Sequence, residues 1–210
     1  MSKDDKTQQL ANADLFDDFT SRAQRVISLA TQEAQSFNHE RIASGHLLIG
    51  LIKEGTGIAA TVLKEMNIDL HKVRLEMEKL APSPAGMANV RVLPHSTHLE
   101  TAIARARVWV KALGHNRVGT EHLLLGIVDD GNSGATQALM SLRVTPEEVR
   151  DKLLHFLVDL SDVEVRHLRT MIIPRHDVFE VTSNSDWSFI SCKSDAAGIL
   201  GDWRLKKENL

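Results

Sequence analysis

The sequence predicts an all-α fold made of two tandem copies of one four-helix unit, and three observations carry that expectation. First, the phrase NHERIASGHLLIGL at residues 38–51 returns 76 positions later as GHNRVGTEHLLLGI at residues 114–127. Between His39–Leu51 and His115–Ile127, six of thirteen positions are identical. Second, the apolar residues before each phrase fall three or four apart, the spacing of one buried helix face. Third, strand-like alternation is absent as far as Val158.

Each copy is read in the same order. Ala23, Val26, Ile27, Ala30, Ala34 and Phe37 mark the buried face of a first helix, and Leu99, Ala102, Ile103, Ala106, Val110 and Leu113 take the same places in the second copy. Ser44 or Thr120 is then suited to cap a short apolar helix over Leu47–Ile52 or Leu123–Val128. Gly55 and Gly131 are expected to stop it. A third helix is expected from about Ile58 to Met66, matched by Gly134 to Leu142. The fourth has its clearest start at Thr145-Pro146-Glu147-Glu148, a capping box with proline at the first helical position, followed by Val149, Leu153, Phe156 and Leu157. Asp69 opens its counterpart, which carries Leu70, Val73, Met77 and Leu80. The two units are expected to pack about a pseudo-twofold axis.

The expected organisation is an acidic, disordered segment at 1–18, a first repeat at 19–80, a linker at 81–94, a second repeat at 95–157 and an extension at 158–210. The linker holds three of the five prolines. In the extension, DVFEVTSN and WSFISC suggest a β-hairpin, and two of the three tryptophans, Trp187 and Trp203, lie there.

Composition narrows the function. Hydrophobic residues make up 42% and charged residues 25%, the globular norm. A formal net charge of −3 supplies no basic field for phosphates, so nucleic acid is not an expected partner. No apolar run reaches membrane-spanning length, no export signal precedes the first repeat, and Cys192, the only cysteine, cannot form an internal disulfide. A cytoplasmic setting without membrane contact is expected.

At this point the residues resemble a family. FTSRAQRVISLATQEAQSFNHERIASGHLLIGLIKEGTGIAATVLKEMNID is similar to the first half of the Clp N-terminal repeat domain, and LETAIARARVWVKALGHNRVGTEHLLLGIVDDGNSGATQAL to its second half. The likeness is to the domain in front of the AAA+ rings of Clp ATPases, particularly the ClpC type, and it covers roughly residues 19–157. No G-x-x-x-x-G-K-[ST] phosphate loop occurs in the chain, so no P-loop ATPase is expected. The resemblance implies a non-enzymatic binding module without cofactors, acting as adaptor, accessory subunit or substrate-recognition domain. Expected partners are Clp ATPase or Clp protease subunits, or substrate and adaptor proteins.

In ClpC-type relatives the glutamate of G-T-E-H is implied in holding the guanidinium of phosphoarginine. Here that glutamate is Glu121, and Val118, Gly119 and Thr120 would complete the ligand-binding set. A carboxylate suits a guanidinium, and helix-start amides suit the attached phosphate. The plainer reading of Glu121 is complementing the helix dipole, worth about 0.3–1 kcal/mol. In the first copy the sequence departs to Ala43-Ser44-Gly45-His46. The guanidinium partner is absent there, and Ser44 with Gly45 forms a degenerate equivalent.

Other constellations read more plainly. His39/His46 and His115/His122 do not have the i, i+4 spacing of a helical zinc pair, and hydrogen bonding within each unit is expected instead of metal binding. Cys192 with His176 and Asp177 lacks a nucleophile motif and reads as inert, leaving no catalytic residue expected. Trp109 reads as core. Trp187 and Trp203 either seal the extension onto the helical body or anchor a partner. A rival reading is a small-ligand sensor that reuses the same fold.

Overall fold

The computed structural model describes residues 16–82 and 93–157, together with the backbone of 178–183, 187–194 and 198–206. In the first repeat α1 spans Ser21–Ser36, α2 Ser44–Glu54, α3 Ile58–Glu65 and α4 Leu70–Leu80. In the second, α5 spans Thr97–Ala112, α6 Thr120–Asp129, α7 Gly134–Ser141 and α8 Pro146–Leu157. The described part of the two repeats is thus all-α, as the periodicity predicts.

Local chemistry sets the boundaries. Thr20, Asp69, Ser96 and Ser133 each accept a backbone N–H with their own side chains at the starts of α1, α4, α5 and α7. Thr145 and Glu148 exchange both bonds of the expected capping box, at 2.8 and 3.2 Å. Gly55 ends α2 in the left-handed conformation at φ 77°. Gly131 does not play that part: α6 ends at Asp129, and Asp130 follows with φ −92°.

α2 and α6 are buried around most of their circumference, as helices without a polar face must be. Each lies against the preceding helix at a glycine. A Cβ on Gly50 would come within 2.7 Å of the Val26 carbonyl oxygen, and one on Gly126 would collide with the Ala102 carbonyl oxygen. Glycine is required there because backbone packs on backbone.

The repeats are joined reciprocally. α3 packs against α6 and α8 of the second repeat, while α7 packs against α2 and α4 of the first. Short parallel bridges repeat the exchange, Phe19 with Val118 and Ile42 with His95. Thr20 donates to the Val118 carbonyl and Val118 to that of Asp18, while Ile42 donates to Pro94 and Ser96 to Ile42. One core, from Phe16 through Leu154, fills both units.

Two expectations are corrected here. Ser44 and Thr120 are not the helix caps; they are the first helical residues, and Ala43 and Gly119 hold the cap positions. The folded body also reaches below residue 19. Phe16 is buried, and the Arg107 guanidinium pairs with Asp18 at 2.7 Å, holding that carboxyl below its usual range.

In the extension, β1 (Val178–Ser183), β2 (Trp187–Ser194) and β3 (Gly198–Lys206) form an antiparallel sheet in the order β1-β2-β3. The expected hairpin is one strand larger. Trp203 is in register with Ile190, Trp187 with Lys206 and Cys192 with Phe179. His176 and Asp177, named beside Cys192, lie outside the described residues.

Candidate binding site at the start of α6

The site residues converge on two helix starts. Val118 is 1% exposed, and its backbone is spent on the bridge to Asp18 and Thr20, so it positions the loop and offers no side chain. Gly119 caps α6 and donates its N–H to His122 Nδ1 at 2.8 Å. His122, three residues into the helix, thus supplies the reciprocal half of a capping box, and no cap side chain accepts from the first-turn amides. Thr120 is buried against Gly57 at the start of α3, where a Cβ would meet its side chain. Two helix N-termini thus lie side by side, each leaving first-turn amides open.

Glu121 folds back over this start, and its carboxylate takes the space a Cβ on Gly119 would need. Its side chain is 15% exposed. Oε2 accepts one bond from Thr120 Oγ1, a long 3.3 Å. Oε1 lies 3.2 Å from His122 Nδ1, which is not an ion pair. Burial, with the neighbouring His115, lowers the His122 pKa to about 3, so the ring is neutral, and its Nδ1 already accepts from Gly119. Glu121 therefore keeps a sheltered carboxylate with little donor support among the described residues.

The histidines form directional chains. Ala43 N–H donates to His46 Nδ1 at 2.9 Å, so Nε2 bears the proton that meets His39 Nδ1 at 2.8 Å. His39 Nε2 in turn reaches the Ala81 carbonyl at 3.1 Å. In the second repeat His122 meets His115 Nδ1 at 2.8 Å in the same sense. His115, Glu121 and His122 are close enough together to hold an ion. Both nitrogens of His122 are nevertheless engaged, and its Nδ1 and Nε2 face opposite ways, so three lone pairs do not meet at one point.

The degenerate site has an occupant. At Gly45 a Cβ would collide with the terminal methyl and sulfur of Met77, which reaches over from α4. Ser44 Oγ accepts from Ala135 N at 3.5 Å at the start of α7, so this end of the molecule is closed by its own packing. Sequence reading placed Met77 on an apolar helix face but not over Gly45, and it missed Glu54. The Glu54 carboxylate accepts from Thr56 N, Thr56 Oγ1 and Gly57 N at 3.1, 2.5 and 2.8 Å, fixing the start of α3 beside Thr120. Burial raises its pKa, but these bonds outweigh burial and hold it below the usual carboxylate range. The signal was present as Glu54-Gly55-Thr56-Gly57, an acceptor followed by a turn and a helix start.

With this geometry in place, the comparisons decide the family. The model described as the Clp repeat (R) N-terminal domain matches residues 18–142 and 94–175. The chain belongs to this family.

Among curated relatives, an ATP-dependent Clp protease ATP-binding subunit ClpA homolog of Guillardia theta is 36% identical over 156 residues, 74% of this chain and 19% of that protein. Chaperone protein ClpC, chloroplastic, of Pisum sativum is 36% identical over 148 residues, 70% of this chain and 16% of the relative. The chain thus spans about a fifth of the length of these relatives. The solved N-terminal domain of ClpD from Arabidopsis thaliana superposes with a TM-score of 0.56 at 22% identity, covering 68% of this chain and 96% of that one. A complex of ClpV N-domain with VipB peptide gives 0.53 at 14% identity, covering 67% and 87%. These two support the Clp N-domain fold.

Trp109 of this Clp N-domain is 1% exposed, and its indole donates to Asp129 Oδ2 at 2.7 Å, which places it in the core. Among the described residues no single helix is long and apolar enough to cross a membrane.

Proposed function

We propose that this Clp N-domain chain is a non-enzymatic protein-binding module of the Clp protease system, an adaptor, accessory subunit or substrate-recognition domain that receives a marked or peptide segment at the start of α6. The observation that carries this is the Glu121 carboxylate, sheltered yet supported by one long side-chain bond, beside the paired N-termini of α6 and α3. A guanidinium would supply the donors it lacks, and a phosphoryl group would meet the first-turn amides of Thr120 and Glu121. The ClpV N-domain solved with a VipB peptide gives support by analogy of fold. Trp187 and Trp203 are proposed as anchors toward a Clp ATPase or protease subunit, with delivery and release favouring modest affinity.

The test titrates the full chain with a phosphoarginine peptide and with its arginine counterpart. Saturable binding of the marked peptide is expected, weakened about tenfold or more by Glu121→Ala, the loss of a charge-assisted contact. Equal affinity in wild type and variant, or no binding at all, would remove the marked-arginine reading. Retention of a purified Clp ATPase by the full chain, lost in Trp187→Ala/Trp203→Ala, addresses the partner separately.

A further inference from the structure

At the opposite end of α6 lies a cavity of about 370 Å³, lined by Thr97, His98, Thr101 and Arg105 of α5 and by the turn Asp129–Asn132. The size suits a small metabolite or one phosphorylated side chain. Its charged groups are unequally engaged in hydrogen bonds. Asp129 is saturated, with Oδ2 accepting from Trp109 and Oδ1 accepting two bonds from Arg150. Asp130 is occupied as well, one oxygen by His98 at 2.6 Å and the other by the Asn132 amide at 3.4 Å.

Arg105 is half-buried and makes no hydrogen bond or ion pair among the described residues, acting on Asp129 through its charge alone. Its own helix offers no acid one turn away, since Thr101 and Trp109 hold those places. Thr97 and Thr101 lie on the same face at successive turns, which sets two hydroxyls in line with the guanidinium. This arrangement belongs to the second repeat. The first carries Leu29 where Arg105 stands, and Arg22 and Arg25 where His98 and Thr101 stand.

We infer that this cavity is an oxyanion subsite for a compact phosphate monoester, with Arg105 forking two phosphoryl oxygens and the hydroxyls of Thr101 and Thr97 meeting the third. An ammonium at position 105 could not offer that planar pair of donors. The carbonyl end of α6 and the neighbouring Asp130 restrict the ligand to a low charge, so polyphosphates are disfavoured. The inference does not depend on Glu121, which lies at the other end of α6, eight positions before Asp129.

The test is an NMR titration of the full chain with inorganic phosphate, O-phosphoserine and acetate, following the Arg105 Nε–H and the Thr101 and Asn132 amides. Saturable shifts with phosphate or O-phosphoserine are expected. They should weaken about tenfold or more in Arg105→Gln, recover partly in Arg105→Lys, and persist in Glu121→Ala and in Arg25→Gln, which removes an equivalent charge from an exposed helix face. Preference for O-phosphoserine over free phosphate would identify a phosphorylated side chain as the source, and the reverse would identify the free ion. Unsaturable shifts, shifts shared equally by Arg25, or saturation by acetate alone would overturn the inference. An unchanged thermal midpoint in Arg105→Gln verifies that any loss is one of binding.

Discussion

At the residue scale, the two buried histidines His46 and His122 tie stability to acid. His46 and His122 are each 1% exposed, and burial, with the facing His39 or His115, lowers their pKa values to about 4 and about 3. The unfolded chain takes up these protons near pH 6.5, while the folded chain excludes them until far lower pH. Their contribution is therefore complete above about pH 6.5 and is lost as pH falls from there toward about 4 for His46 and about 3 for His122. Replacing His122 with glutamine keeps an acceptor at the third helical position, as in a capping box, but removes the titration. Urea midpoints measured between pH 4 and 7 should then fall less steeply for His122→Gln than for the wild type. His122→Ala removes the acceptor altogether and should cost about 0.5–2 kcal/mol more at pH 7 than glutamine does. An unaltered pH slope in His122→Gln would mean that other groups set the acid limit.

At the element scale, corresponding positions solve one problem with opposite charges. In the first repeat Glu33 on α1 is buried and accepts from Lys53 of α2 and Arg74 of α4, each at 2.7 Å. Burial raises its pKa, but the two cations outweigh it and hold the carboxyl below its usual range. The second repeat has Trp109 at the equivalent place, Asp129 on α6 in place of the lysine, and Arg150 of α8 retained. The carboxylate has moved one helix along while the arginine stays put. Here Arg150 and Asp129 are both almost wholly buried, and burial leaves the Asp129 pKa raised despite Arg150 and Trp109. Asp129→Asn should therefore cost about 3–5 kcal/mol, the penalty of stranding one buried charge. Glu33→Gln should cost less, since Lys53 and Arg74 can turn toward water. Urea unfolding of the two variants compares them directly, and equal losses would contradict the difference in burial. Backbone contact makes a similar demand at Gly126, where alanine would push α6 off the Ala102 carbonyl. A loss of about 1–3 kcal/mol is expected from Gly126→Ala in the same assay.

The limits of sequence reading follow from these residues. The repeat was legible because Ala23, Val26 and Ala30, with Leu99, Ala102 and Ala106, recur at helical spacing and all become buried. The caps of α2 and α6 were not, because a histidine acting from the third position has no simple propensity, and a serine or threonine nearby is the stronger local signal. Glu121 stood out through its family phrase as the proposed ligand residue. The place of Met77 over Gly45, of Glu54 at the start of α3 and of Arg105 in the cavity was not legible, because only the tertiary fold brings their neighbours close.

At the scale of the whole molecule, the exchange of third helices makes each helix-start site a joint product of both repeats, with α6 meeting α3 and α2 meeting α7. Symmetry of fold would allow two equivalent sites, so their difference must come from side chains. Glu121 coexists with Leu153 in the second repeat, whereas Gly45 admits Met77 at the matching place in the first. The closed end is therefore held shut by a methionine filling the space of a missing side chain. Under the proposed function, wild type should bind a phosphoarginine peptide with a stoichiometry of one. Gly45→Glu alone should collide with Met77 and destabilise by about 1–3 kcal/mol without adding a site. Gly45→Glu with Met77→Leu recreates the pair found in the second repeat, and should restore most of that stability and raise the stoichiometry to two. Calorimetric titration reads both numbers. Two sites in the wild type, or a folded double variant that still binds one peptide, would show that Met77 is not what separates the repeats.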